Sequence, residues 1–369
     1  MNPHLVALTR RTKVELSALM FLGMYMTAAT WPPGARVYAA GSLESPVTLD
    51  PESFVVLDPP GSIDTRAHAI TSAGDIVGFY FTADQRGHGF LLTRGVYTTI
   101  DPTGSVRTTS AGITCLRPAS EHDDDNEQRN GRGDKQPDDW DDPSRCRELA
   151  VVGRFDTADG KAHGFVLAGG TVTQIDFPGA TFTIATSINA SGEIVGRYQS
   201  TDGLFHGFTL IDGTFTTIDY PGGISIQAMA INDRGHVAGY YVDTGNRFHG
   251  FMLIDGSFTT FDPPDSIATG AAGSLIGINS RGEIAGRYTT SDGRTHGFVL
   301  KNGRYTTMDI GDRFTCNNGI NNQGDIVGLF EEPNGRRHGF LTSRRALREK
   351  CFDFGNFPKS CIRIWALAP

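Results

Sequence analysis

The body of this 369-residue chain has no long apolar run and no convincing amphipathic helix after residue 40. That excludes a helical bundle and, outside the first 40 residues, a membrane-spanning helix. Tryptophan is scarce at 3 residues, and Phe at 23 outnumbers Tyr at 10 and Trp together. No basic excess exists either: 33 Lys and Arg stand against 41 Asp and Glu, a net of −8. A nucleic-acid partner therefore has no electrostatic support. Cysteine is limited to Cys115, Cys146, Cys316, Cys351 and Cys361, an odd count that leaves at least one thiol unpaired or paired between chains. What is abundant is glycine, at 46 residues. Many short strands joined by tight turns suit that composition.

The N-terminus has the form of an export signal. Arg10, Arg11 and Lys13 precede an apolar stretch from Leu16 to Thr30, and Ala39 and Ala40 offer a small-residue cleavage site. Residues 1–40 are read as a signal peptide, with an uncleaved anchor as the alternative. The apolar stretch falls short of the roughly 20 residues that a span needs. No stable membrane span is expected after cleavage, and the mature chain is expected to be extracellular or periplasmic.

The step His-Gly-Phe occurs six times, at His88, His163, His206, His249, His296 and His338, at intervals of 75, 43, 43, 47 and 42 residues. A period of 40 to 45 residues is one propeller blade. Each unit holds four strand-like runs, clearest as TSIN, EIVGRY, FHGFTLI and TFTTID between Thr183 and Asp219. NASGE, from Asn189 to Glu193, joins the first two, with Gly in the left-handed position. Asp212-Gly213 joins the last two as a two-residue hairpin. Runs like the fourth begin at Phe54, Tyr97, Val172, Phe215, Phe258 and Tyr305. The first precedes any complete unit, and nothing of the kind follows His338. The fold predicted is all-β, a six-bladed β-propeller over residues 41–345, closed by an N-terminal strand that completes the last blade and so removes open edges. An open solenoid of the same units is the alternative. Residues 346–369 form a separate C-terminal tail.

The turns INASGEIVG at Ile188 and INDRGHVAG at Ile231, with the His-Gly-Phe step at this spacing, resemble the extracellular HAF-repeat family of bacterial proteins. Gly stands here where the family has Ala. The resemblance covers roughly residues 54 to 342. It implies an exported, repeat-built protein and carries over no catalytic residues.

A two-residue hairpin also fixes who faces whom. In each complete unit the His lies across from an Asp: His88–Asp101, His163–Asp176, His206–Asp219, His249–Asp262 and His296–Asp309, with His338–Asp58 added by the closure. Six identical copies argue for structural anchors rather than catalysis, and one His with one Asp per blade does not converge as a metal site. No metal or cofactor is expected. The small residues Ala69, Gly112, Ser187, Ala230, Gly277 and Gly319 on the innermost runs suit a crowded axis.

The long interval carries an insertion between Cys115 and Cys146, with ten acids and five bases, hence a net of −5 out of the chain's −8. Residues 116–145 are read as a disordered acidic loop. Asp123 to Asp125 miss the calcium-loop spacing, and Arg132-Gly133-Asp134 also occurs by chance. Strand geometry at the neck predicts a Cys115–Cys146 disulfide, a second bridge is expected between Cys351 and Cys361, and Cys316 is left free.

Function is less legible. A binding or scaffold propeller fits best, its candidate partners an extracellular or cell-surface glycan or a protein. Candidate contacts are Phe177 and Tyr220 in loops beside Pro-Gly, and Arg154, Arg197 and Arg287 on the second run of their units. Ordinary packing is the competing reading for the aromatics. A propeller-scaffold hydrolase or lyase acting on polysaccharide is the alternative function. It would need one blade to break the symmetry with a unique reactive group, and no catalytic residue is assigned.

Overall fold

A computed structural model describes residues 54–117, 146–271 and 274–342, together with the backbone of two short strands at Arg36–Val37 and Val47–Leu49. The chain divides into Met1–Pro32, which lies outside the described residues, and Pro33–Pro369, which holds every element. Among the described residues there is no helix, and the strands form six sheets, each built on an antiparallel set, the blades of a propeller.

Blade 3 shows the pattern. Thr183–Ile188 is innermost, followed outward by Ile194–Gln199, Phe205–Ile211 and Thr214–Ile218. Blade 1 runs from Asp64–Ile70 to Val96–Ile100, blade 2 from Arg107–Leu116 to Thr171–Ile175, and blade 4 from Ser225–Ile231 to Ser257–Phe261. Blade 5 departs from the rule. Its inner strand is broken into Ser266–Thr269 and Gly277–Ile278 by the residues that stretch one interval to 47. Blade 6 comprises Thr315–Ile320, Ile326–Glu331 and Arg337–Thr342, and its fourth strand is Val55–Leu57, antiparallel with Leu57 opposite Gly339 and Val55 opposite Leu341.

The turns follow from their residues. At the outer hairpins both central residues take positive φ, 49° at Asp212 and 75° at Gly213, the type I′ geometry that matches strand twist. The turn between the first two strands is held by its Asn. In blade 3, Asn189 Oδ1 accepts the Ser191 and Glu193 N–H groups at 3.1 and 3.0 Å. Its Nδ2 donates to the Asn232 carbonyl of the next blade at 3.2 Å. Asn232 donates to Asn279, Asn279 to Asn321, and Asn321 to Thr71 of blade 1, all at 3.0–3.1 Å. One bond type thus steps from blade to blade and joins the sixth to the first.

Every His-Gly-Phe phenylalanine is buried: Phe90, Phe165, Phe208, Phe251, Phe298 and Phe340 are at most 1% exposed. Each burial contributes about 2–3 kcal/mol. Space for them comes from a glycine on the adjacent strand. A Cβ on Gly196 would stand 2.0 Å from the Ile184 carbonyl and 2.6 Å from the Phe208 ring. At the axis a Cβ on Gly277 would meet Gly319 Cα at 2.8 Å, and one on Gly319 would meet Ala69 Cα at 3.0 Å. Small residues are therefore a steric requirement there.

Cys115 and Cys146 form a disulfide across the neck of the insertion, with Cα atoms 5.3 Å apart. Cys316 is buried with a free thiol. Cys351, Cys361, the body of the insertion and the C-terminal tail lie outside the described residues. Arg36–Val37 runs parallel to the outer strand of blade 4, and Val47–Leu49 parallel to that of blade 5. The first of these lies within the segment expected to be removed with the signal.

Candidate functional site

The channel has two unlike ends. At the end carrying the Asn turns lies a cavity of about 180 Å³, bordered by His68, Cys115, Asn189, Asn232, Asp233 and Asn321. Its polar groups are engaged with one another. The Asn amides hold neighbouring blades, and Ser280 Oγ donates to Asp233 at 2.9 Å. His68 is the group that breaks the symmetry here. Its Nδ1 donates to the Ser110 carbonyl of blade 2 at 2.8 Å. Thr186 makes the same inter-blade bond to Ala228, and Asn318 makes it to Ala67. Burial lowers the His68 pKa to about 4, so the ring is neutral at pH 7 and serves as a clasp.

The opposite end gathers guanidinium groups on aromatic rings. It is where the second strands finish and the next inner strands begin. Arg154 lies 4.8 Å over Phe182, Arg197 5.3 Å over Phe205 and Arg287 5.6 Å over Phe314. Arg66 and Arg107, on inner strands, hold Phe79 between them at 4.9 and 5.8 Å. These side chains are partly buried. Arg154 is neutralised by a bidentate pair with Asp156 at 2.6 and 2.7 Å, and Arg66 bonds Asp64 at 3.2 Å. Arg107, Arg197 and Arg287 have no carboxylate within ion-pair distance among the described residues, and the Nε of each is buried without a partner. Arg197 reaches only the Tyr240 hydroxyl, at 3.4 Å, and Arg287 only the Cys316 sulfur, at 3.7 Å. Burial and the nearby charge of Arg154 pull the Arg107 pKa down. For Arg197 burial again acts first, with Tyr240 opposing and Arg154 adding.

Of the five residues singled out as contacts, this end brings Arg154, Arg197 and Arg287 to corresponding positions. It does not bring the aromatics. Tyr220 is buried at 7%, stacked 3.6 Å from Tyr241, with its hydroxyl 2.7 Å from Thr260 Oγ1. Phe177 stacks 3.6 Å from Tyr198 and meets Phe215 edge-on. Both have the packing role, because a ring beside Pro-Gly is drawn into the apolar space between blades. Sequence reasoning missed Arg107, which occupies an inner strand, and the aromatic partners Phe79, Phe182, Phe205 and Phe314. For Phe182 and Phe314 the available signal was an aromatic just before an inner strand; Phe79 lies on a second strand and Phe205 opens a third.

The His and Asp side chains meet in all six blades. The Nδ1–carboxylate distances are 2.7 Å at His88–Asp101, 2.8 Å at His163–Asp176, 2.6 Å at His206–Asp219, 2.7 Å at both His249–Asp262 and His296–Asp309, and 2.6 Å at His338–Asp58. Two further contacts were not foreseen. Each ring packs on an aromatic of the second strand with centroids 5.2–5.3 Å apart, as in Tyr198–His206 and Tyr241–His249. In several blades Nε2 also reaches the following turn, at Ser200 Oγ in blade 3 (3.1 Å) and Asp243 in blade 4 (3.2 Å). The bond to Asp262, against burial and aided by Asp243, raises the His249 pKa. Burial raises that of Asp309. Among the described residues no group of three His, Cys, Asp or Glu is placed to hold a metal ion, and no helix is long and apolar enough to cross a membrane.

No protein-family model and no curated protein matches the chain. Several solved structures are similar to the chain at low identity. Aleuria aurantia lectin in complex with Fucα1-6GlcNAc is 14% identical at a TM-score of 0.44, covering 77% of this chain and 93% of the lectin. AofleA from Arthrobotrys oligospora is 10% identical at 0.46, covering 77% and 84%. A Mycobacterium tuberculosis puromycin-hydrolyzing peptidase is 13% identical at 0.43, covering 80% of this chain and 54% of the peptidase. Lectin and peptidase stand side by side at these values, so the likeness assigns neither activity.

Proposed function

We propose that this is an exported binding propeller of the HAF-repeat type, taking an extracellular glycan on the face where its arginines gather. The observation that carries the reading is the set of arginines Arg107, Arg197 and Arg287, laid on aromatic rings and lacking carboxylate partners. A guanidinium held flat against a ring is pre-organised to donate in-plane hydrogen bonds. Aromatic rings beside such donors suit a sugar, which offers hydroxyls at its rim and C–H groups on its faces. The Cys115–Cys146 disulfide supports an oxidising compartment. Exposed aliphatic side chains on the same face, Ile63, Val106, Leu204, Ile224 and Ile267 at 38–50%, support its use as a contact surface. The test is a glycan array probed with the purified mature protein and with an Arg197→Ala/Arg287→Ala variant. Binding that the variant loses is expected. An array with no binder, or binders that the variant retains, would overturn the reading.

A further inference from the structure

Resting on that reading, we infer that the ligand is a linear, carboxylate-bearing oligosaccharide lying across the inner ends of blades 1 to 3. The guanidinium groups sit on successive blades, Arg66 on blade 1, Arg107 and Arg154 on blade 2 and Arg197 on blade 3. They follow one another along the ring. Arg66 and Arg107 share Phe79, and Arg107 also covers Phe81 at 5.4 Å. Arg154 then covers Phe182, whose ring meets Phe205 at 5.3 Å, and Phe205 carries Arg197. Asp64 and Asp156 offset Arg66 and Arg154. Two charges, at Arg107 and Arg197, remain in excess, with the neutralised Arg154 between them. A chain with one carboxylate on successive or alternate units serves both, each carboxylate meeting the in-plane N–H edge of one guanidinium. Apolar surface lies beside each charge: Val106, next to Arg107, is 48% exposed, and Leu204, next to Phe205, is 40% exposed. These suit the C–H faces of pyranose rings. A single-stranded nucleic acid also spaces charge along stacking faces. It would be drawn to a stronger positive field than three unpaired guanidinium groups on a chain of net charge −8.

The inference is tested by calorimetric titration of the full mature protein with hexagalacturonate, with its methyl ester and with a hexathymidylate. Hexagalacturonate is expected to bind at least about tenfold more tightly than the ester, with affinity falling as salt rises. Arg107→Gln and Arg197→Gln should each weaken it by about fivefold or more, and Arg197→Lys should retain part of the loss, with melting temperatures confirming that each variant is folded. Equal binding of acid and ester, folded glutamine variants with unchanged affinity, or tighter binding of the hexathymidylate would overturn the inference. If acid and ester bind equally and both are lost on Arg197→Ala/Arg287→Ala substitution, the anionic ligand falls while the glycan-binding reading stands. Absence of binding to all three, with an empty glycan array, removes both.

Discussion

Lowering the pH should weaken this propeller in part through His68, the histidine most deeply buried between blades. The ring is buried, 7% exposed, and is committed to the Ser110 carbonyl of the next blade. Its folded pKa is about 4, against 6.5 for the free group. Because the folded value is depressed and the group is a base, the unfolded chain binds the proton more readily. The contribution of His68 is therefore complete above pH 6.5 and is lost as pH falls from 6.5 towards 4. A gap of about 2.5 pH units corresponds to roughly 3 kcal/mol, of which about 2.5 is already lost at pH 4.5. His249 acts in the opposite sense. Its raised pKa adds stability at low pH that is lost as pH rises through the folded value. Acid titration of the wild type alone would mix the two, so a variant must separate them. His68→Thr is the suitable one, since Thr186 makes the equivalent bond to Ala228 at 2.8 Å. Urea unfolding followed by circular dichroism from pH 7.5 to 4.5 should show the wild type losing about 2.5 kcal/mol relative to His68→Thr. Parallel curves for the two proteins would refute the reasoning, because they would mean that His68 takes up its proton as easily folded as unfolded.

The His–Asp pairs should differ in worth according to burial. Asp219, 59% exposed, should lose well under about 1 kcal/mol on Asp219→Asn, whereas Asp309→Asn should lose about 2, since Asp309 is 16% exposed and also accepts the Gly297 N–H at 3.1 Å; equal losses in urea melts would contradict this. Deleting residues 41–60 should remove the outer strand of blade 6 and the Asp58 partner of His338, exposing the edge at Arg337–Thr342. Size-exclusion chromatography should then show aggregation, and a monodisperse deletion variant would show that this strand does not hold the ring shut. Cys316, buried beside Arg287, should resist a thiol reagent in the folded protein and react once urea is added. Non-reducing peptide mapping should recover Cys115 linked to Cys146 and test the Cys351–Cys361 bridge; a bond from Cys316 to either tail cysteine would contradict it.

Local chemistry made much of this protein readable from its sequence. Strand alternation, Asp-Gly and Asn-x-x-Gly turns and a period near 43 depend on neighbours in the chain, so blade content, turn positions and the His–Asp register were visible in the residues themselves. Small residues at Gly277 and Gly319 likewise announced a crowded axis. What tertiary structure alone decided is everything that crosses between blades. The amide of Asn189 looks in sequence like the cap of its own turn, yet its Nδ2 bonds a carbonyl 43 residues away. His68 looks like a lone histidine until Ser110 is brought to it. Tyr220 was open to either surface or core, and the rotation of one blade against the next put it on Tyr241. The arginines show the limit most clearly. Asp64 and Asp156, each two residues from an arginine, are close enough in the chain to suggest pairs, but that Arg107 and Arg197 are left without a carboxylate depends on what the neighbouring blade presents, and it presents phenylalanine and tyrosine.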